Sequence, residues 1–457
     1  MGIRLKELVN KIRKSGFIKS VLTLSSGAVI GQGINFIGMP FIGRIYSPDV
    51  IGDFTLIVGN SNVVSAVACL GMLTVFMLPK EDEEARGLSR LVLYSSILIT
   101  SFAVTVLWLI RHHYLLIHTT KTPYYLSLIV LWLFVVLNII SNICYAYVNR
   151  HRKYKVMFWN PIISATVNIT LSIILGLMKA TFLNYAIGSL TAIGANIIHL
   201  LISDNCFHYY DKTKYSLMNM LRKYSTFPFF QMPANLINNL SNQVPLQLIE
   251  ELFSSTELGL YSMAIKILSL PTMLLATPIN RVYFQEASSR YNKGEDIGEF
   301  SFKILETNIR IAIIPISLLV IFGRQIFRIF LGTQWEMAGY YAAIMGLYQL
   351  MLFCVGCLSG DFVIIRKNSW NLISSVFSLA INIILYCLCK YIITMKIETF
   401  LMILSITMTI KIILAEAVFF AYVKFSLIRY FGFVIKCIII PFAFAMLINL
   451  LLGSIIL

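Results

Sequence analysis

The sequence predicts an all-α, polytopic membrane protein built as two parallel six-helix lobes, with one extra C-terminal hydrophobic segment. Three observations carry this expectation: composition, the spacing of apolar runs, and the alternation of positive charge. Of 457 residues, 58% are hydrophobic and only 13% charged, with a mean hydropathy of +0.80. That is too little charge to cover a water-facing surface. Apolar runs of about 20 residues, enough to cross a hydrocarbon core of about 30 Å at about 1.5 Å per residue, recur along almost the whole chain.

Thirteen such runs are expected, near 20–45, 53–78, 88–110, 123–148, 156–178, 181–203, 226–250, 258–283, 305–331, 338–363, 370–393, 398–423 and 433–457. The first is rich in glycine (Gly27, Gly31, Gly33, Gly38, Gly43), which permits close packing or flexure. The seventh holds Pro233 and Pro245, the eighth Pro271 and Pro278, and the ninth Pro315, each removing a backbone hydrogen bond and marking a bend. The thirteenth carries Pro441, and both a single crossing and a hairpin fit its sequence.

Lys and Arg fall mostly on one side of these runs. With the N-terminus inside, the inner segments take the basic arm (Arg4 to Lys19), Arg150 to Lys155, Arg281 to Lys303, Arg366 and Lys367, and Lys424 to Lys436. The outer ones take few, among them Arg44, Arg111, Lys121 and Lys179. The positive-inside rule therefore places the N-terminus in the cytoplasm and accounts for the net charge of +16 without nucleic acid. The segment MGIRLKELVNKIRKSGFIKS lacks a small-residue cleavage site and reads as a retained arm. The expected divisions are a basic arm (1–19), an N-lobe (20–203), a cytoplasmic linker (204–225), a C-lobe (226–423) and the extra segment (424–457). A weak repeat, SPDVIGDF at Ser47–Phe54 against SSTELGLY at Ser254–Tyr261, relates the two lobes at an offset of 254 minus 47, or 207 residues.

Polar residues inside the runs nominate the site. Gln231, Asn235, Asn238, Asn239 and Asn242 fall on one helical stripe, Asn138 and Asn142 on another, and Gln32 stands near Asn35. Hydrocarbon cannot satisfy an amide, so these stripes face other helices or water, and several together would line a cavity suited to sugar hydroxyls. For a single Asn, an interhelical hydrogen bond is the simpler role. Lys266, Arg310, Lys411, Glu306 and Glu416 sit inside spans, with Arg44 and Asp361 near span ends. A charge at that depth costs on the order of 2.5–3.5 kcal/mol and calls for a function and a partner. Lys411 is 13 residues from both Glu398 and Lys424, about 20 Å from either boundary, beyond the reach of its stem. Lys266, nine residues from Glu257, has only marginal escape to the boundary. Arg310 can pair with Glu306 four residues earlier, whereas Glu416 is turned well away from Lys411. Cations on three helices of the second half would receive an anion such as a diphosphate. Glu306, Glu416 and Asp361 are the candidates for carrying a coupling proton or Na⁺; no cofactor or metal is called for. The run Glu81–Glu84 reads as a solvated loop, and Cys354 and Cys357 as packing residues.

Four stretches together resemble the polysaccharide repeat-unit flippases (Wzx-type, or O-antigen translocases) of the multidrug/oligosaccharidyl-lipid/polysaccharide exporter superfamily. They are RIYSPDVIGDF (Arg44–Phe54), LPKEDEEA (Leu78–Ala85), ELGLYSMAIKILSLP (Glu257–Pro271) with RVYFQEASSRYNKG (Arg281–Gly294), and FLGTQWEMAGYYA (Phe330–Ala342). The resemblance implies twelve core helices in two six-helix lobes around a central cavity, alternating between inner and outer openings in a bacterial inner membrane. It also implies an undecaprenyl-diphosphate-linked oligosaccharide as substrate, a cationic cavity in which Lys266, Arg310, Lys411 and Arg44 would serve, and contact with other polysaccharide-assembly membrane proteins. Two alternatives stand beside it. A cation-coupled small-molecule exporter of the same superfamily should carry deep acids in its first lobe, and a glycan polymerase should carry a large outer loop.

Overall fold

The computed structural model describes residues 16–109, 123–208, 216–367, 369–393 and 395–456. Most of the basic arm, the outer loop Arg111 to Thr122, and Lys212 and Lys214 lie outside the described residues. All regular structure among the described residues is helical. In chain order the helices are α1 (Gly16–Ile45), α2 (Pro48–Ala68), α3 (Asp82–Leu109), α4 (Tyr124–Arg150), α5 (Tyr154–Met178), α6 (Phe182–Ser203) and α7 (Leu217–Lys223). There follow α8 (Met232–Leu252), α9 (Ser255–Leu268), α10 (Thr277–Asn292), α11 (Gly298–Leu331), α12 (Glu336–Gly356), α13 (Asp361–Ile364), α14 (Ser369–Cys387), α15 (Ile397–Tyr422), α16 (Leu427–Val434) and α17 (Ile440–Ile456). Eleven stretches among the described residues are long and apolar enough to cross a membrane, so the protein is a multi-pass membrane protein. Of the thirteen expected runs, the other two correspond to α1 and to the amide-rich α8.

Prolines shape several of these helices. The π-helical turns Phe227–Gln231, Thr272–Ala276 and Ile435–Ile439 each end two residues before a proline, at Pro233, Pro278 and Pro441. Because a proline ring crowds the preceding turn and donates no bond to it, one wider turn ahead of it lets the helix continue. The C-terminal segment accordingly runs unbroken as helix through Pro441, and the hairpin alternative is removed.

The chain divides into two compact units, residues 1–46 with 56–239, and residues 47–55 with 240–457. The boundaries differ from the expected lobes: the short segment 47–55 joins the second unit, the division falls within α8, and the C-terminal helices belong to unit 2. In unit 1, α1 runs along α5, α5 along α6, and α4 packs against α3 and α6. A Cβ on Gly27 would lie 2.3 Å from the Phe158 carbonyl oxygen, so α1 and α5 approach backbone to backbone. In unit 2, α12 is the central element, packed on α9, α11 and α15, while α17 lies along α11.

The repeat explains the assignment of 47–55. A Cβ on Gly52 would lie 1.9 Å from the Ser255 carbonyl oxygen, and one on Gly259 1.7 Å from that of Pro48. Gly52 corresponds to Gly259 and Pro48 to Ser255 in the repeat, so the two copies cross through reciprocal glycine contacts. Ser254 caps α9 by accepting from the Glu257 amide at 3.2 Å, the S-x-x-E arrangement that starts helices. Glu257 also accepts from the Tyr341 hydroxyl at 2.5 Å, joining α9 to α12. The FLGTQW stretch is a helix stop: Gly332 takes φ 116° and Trp335 behind it is fully buried.

LPKED is likewise structural. Arg150, at the end of α4, donates to the carbonyl oxygens of Phe76 (3.2 Å), Pro79 (2.7 Å) and Lys80 (3.3 Å) and to Asp82 at 2.9 Å. Glu84 is buried and takes both the Lys223 ammonium and the Tyr224 hydroxyl. The solvated-loop reading of Glu81–Glu84 is thus corrected at Glu84, because a carboxylate with two donors supplied from around α7 tolerates burial.

Candidate functional site

Unit 1 holds a polar cavity of about 210 Å³ between α1 and α5. Gln32 and Asn35 line it, opposite Ser164 and Asn168. Asn168 accepts from Ser189 at 3.0 Å and Ser172 at 3.4 Å. With its oxygen engaged, the amide N–H groups are what it offers to the cavity. Sequence reasoning missed this wall, although Asn160, Ser164, Asn168 and Ser172 recur every fourth residue and the stripe rule would have found them. The cavity lining contains no acid or base.

The stripe on α8 divides in two. Gln231 donates to the Asn235 side chain at 2.9 Å and Asn239 to the Asn235 carbonyl oxygen at 3.0 Å, so these three satisfy one another along the helix. Asn238 and Asn242, one turn apart, are exposed and present the amides this helix can offer to a ligand. On α4, Asn138 bonds back to the Phe134 carbonyl oxygen at 2.8 Å, the simpler structural role, while Asn142 is exposed.

The cations of unit 2 are less alike than their sequence contexts. Lys266 is exposed in the last turn of α9, where Ser269 donates to its carbonyl oxygen, and its ammonium has no hydrogen bond or ion pair among the described residues. The expected continuous span bends three residues later, at Ser269, ahead of Pro271 and the π-helical turn, so Lys266 stands beside a bend with the helix carbonyls near it. Arg310 is 75% exposed and pairs with Glu306 at 2.6 Å on its own helix, which makes Glu306 a counter-ion to Arg310. Lys411 is half-buried and donates to Ser378 on α14 at 2.8 Å. No hydrogen bond or ion pair among the described residues joins any two of these three. Arg44 is exposed at the end of α1 and donates to the Pro40 carbonyl oxygen at 3.3 Å.

Asp361 and Glu416 occupy a different place. Both are buried, at 3% and 4% exposure, in the core formed by α10 to α13 and α15 to α17. Asp361 accepts the Tyr283 hydroxyl, which in turn pairs with Ser301 at 2.7 Å. Burial beside Asp361 pushes the Tyr283 phenol well above its ordinary range, so it serves as a donor. Glu416 does not pair with Lys411, as their helical spacing predicts.

Comparison with known proteins adds a family to this geometry. A family model described as polysaccharide biosynthesis protein matches residues 41–340. The chain belongs to the polysaccharide biosynthesis protein family. The match spans the reciprocal glycine crossing, the Arg150 clasp, the α8 amides and the Gly332–Trp335 turn. Among solved structures, the lipid II flippase MurJ in an inward closed conformation is similar at a TM-score of 0.64 and 16% identity, over 96% of this chain and 98% of that one. An inward-facing multidrug resistance MATE family transporter of the MOP superfamily is similar at a TM-score of 0.56 and 12% identity, covering 88% and 94%. A MOP superfamily transporter from Pyrococcus furiosus follows at 0.52 and 13%, covering 89% and 97%. A comparison with curated proteins returned no match. The all-α, MATE-like fold and the family resemblance read from the four sequence stretches are therefore the ones found, and this member of the polysaccharide biosynthesis family has the fold of the MOP superfamily transporters.

Proposed function

We propose that this family member is a transporter, not an enzyme, and that it moves undecaprenyl-diphosphate-linked oligosaccharide repeat units from the cytoplasmic to the outer leaflet of a bacterial inner membrane, for O-antigen, capsule or exopolysaccharide assembly. The N-terminus is cytoplasmic in this reading, as the charge distribution predicts. The observation that carries it is the amide-lined cavity of unit 1 in a chain of the polysaccharide biosynthesis family. Neutral donors and acceptors of this kind match sugar hydroxyls, and the acid-free lining favours a glycan over the cation-coupled exporter expected to carry deep acids there. The exposed ammonium of Lys266 supplies an anion contact for the diphosphate, with Arg310 second because Glu306 already shares its charge. Asn238 and Asn242 on α8 are further exposed amides able to bond sugar hydroxyls.

Reconstitution into vesicles with a defined lipid-linked repeat unit tests the proposal. Lipid-linked sugar should become accessible to an external glycosidase or lectin faster than in empty vesicles. An unchanged rate, together with efflux of small cationic drugs, would replace this reading with the exporter.

A further inference from the structure

The buried carboxylates Asp361 and Glu416 are unexplained by any cargo. Asp361 Oδ2 and Glu416 Oε2 are enclosed and have no hydrogen-bond partner among the described residues. Neither forms an ion pair with Lys, Arg or His there, and the two lie close enough to act on each other electrostatically. Two ionised carboxylates in one apolar core, without a cation, would cost far more than the fold can supply. The two sites are not equivalent. Asp361 receives a donor from Tyr283, which stabilises its charge, whereas no donor reaches Glu416 Oε2 among the described residues.

We propose that Asp361 and Glu416 form a proton-binding site in unit 2, in which Glu416 carries an exchangeable proton at neutral pH and Asp361 remains ionised on Tyr283. The groups packed around the pair do not supply a competing charge. Tyr283 comes from α10, Ser301 from α11, Cys354 and Cys357 from α12 and Tyr430 from α16, where its hydroxyl donates to the Ile413 carbonyl oxygen at 3.1 Å. Of the charged side chains at the same end, Arg290 pairs with Glu286 at 2.8 Å and Arg429 with Glu299 at 2.7 Å.

The site lies at the basic end of unit 2. Asp361 opens the short helix that leads into Arg366 and Lys367, Glu416 stands two turns before Lys424, and Tyr283 precedes Arg290 and Lys293. Its proton therefore exchanges with the compartment that the basic end faces. Occupancy is read by α10, which follows the π-helical turn Thr272–Ala276 and is held to α13 through the Tyr283–Asp361 bond. Loss of the Glu416 proton sets a second negative charge beside Asp361, so the two carboxylates repel and any displacement of Asp361 passes to α10 through Tyr283. This site is independent of the cargo assigned above, and its test needs no substrate.

Infrared difference spectra of the purified full-length protein in lipid nanodiscs, in H₂O and D₂O, read protonated carboxyl groups directly. At neutral pH the wild type and Asp361→Asn should show a buried protonated carboxyl band that Glu416→Gln lacks, while Glu306→Gln should leave it in place. In the wild type the band should decline as pH is raised, with heat stability falling in parallel, and Glu416→Gln should hold its stability over that range. A band unchanged in Glu416→Gln, or lost in Asp361→Asn instead, overturns the assignment. So does a band removed at constant pH by NaCl but not by choline chloride, which would make the bound cation Na⁺.

Discussion

Gly259→Ala is the perturbation whose consequence follows most directly from the coordinates. The added Cβ would lie 1.7 Å from the Pro48 carbonyl oxygen and 2.5 Å from its carbon, where ordinary contact begins at 3.4 Å. The two helices must part by 3.4 minus 1.7, or 1.7 Å, because the obstacle is backbone and no rotamer change relieves it. Overpacking of this kind costs about 1–3 kcal/mol, and a clash with main chain belongs at the upper end. Gly52→Ala meets the Ser255 carbonyl oxygen at 1.9 Å and should cost about as much. Since both relieve themselves by the same separation, the double variant should lose clearly less than the sum of the singles. Heating the purified protein in one detergent and measuring the fraction that stays monodisperse gives the comparison, with Gly194→Ala as control because nothing lies within 4 Å of its added Cβ. A Gly259→Ala protein as heat-stable as the control, or strictly additive singles, would refute the reciprocal crossing.

Other outcomes follow from the same contacts. Trp335→Ala empties a fully buried site behind the Gly332 turn and should cost about 3–5 kcal/mol, measured by the same heating assay. Paired Asn238→Leu and Asn242→Leu should lower transport of a lipid-linked sugar severalfold with folding intact, while Asn235→Leu should act mainly on stability because Gln231, which donates to the Asn235 side chain, is stranded. Lys266→Ala should slow transport and Lys266→Arg preserve most of it, and a fully active Lys266→Ala protein would remove Lys266 from the site. The hydrogen bond to Glu84 raises the Lys223 ammonium above its ordinary range, and burial, then Glu84, raises the Tyr224 phenol. Both groups hold protons more tightly when folded, so their contribution is complete at neutral pH and fades only as pH rises past the ordinary lysine and tyrosine range. Glu84→Gln should therefore lower heat stability at pH 7–8, with the difference from wild type narrowing under strongly alkaline conditions.

The fold class was legible in the chain because burial in lipid leaves a one-dimensional trace. Apolar length, charge alternation and the Ser47–Phe54 repeat are local properties that need no tertiary contact to be read. The placing of the amides along the helices is read by the same rule, and Gln32 and Asn35 line a cavity in unit 1. What only the tertiary structure decided is which polar groups are already spent. Asn235 and Asn138 sit in stripes like those of Asn238 and Asn142, yet the first two are satisfied within their own helices and the others are exposed. Glu84 reads as one of a run of solvated acids and is instead buried beneath Lys223 and Tyr224, more than a hundred residues away in sequence. Glu306 and Glu416 look equivalent in their spans; one is neutralised by Arg310 a turn away, the other is enclosed with Asp361 and pairs with no cation among the described residues. Sequence determines where polar groups stand along the chain, since periodicity is set by the helix itself. Their pairing depends on which distant elements are packed against them, and that is settled only when the helices assemble.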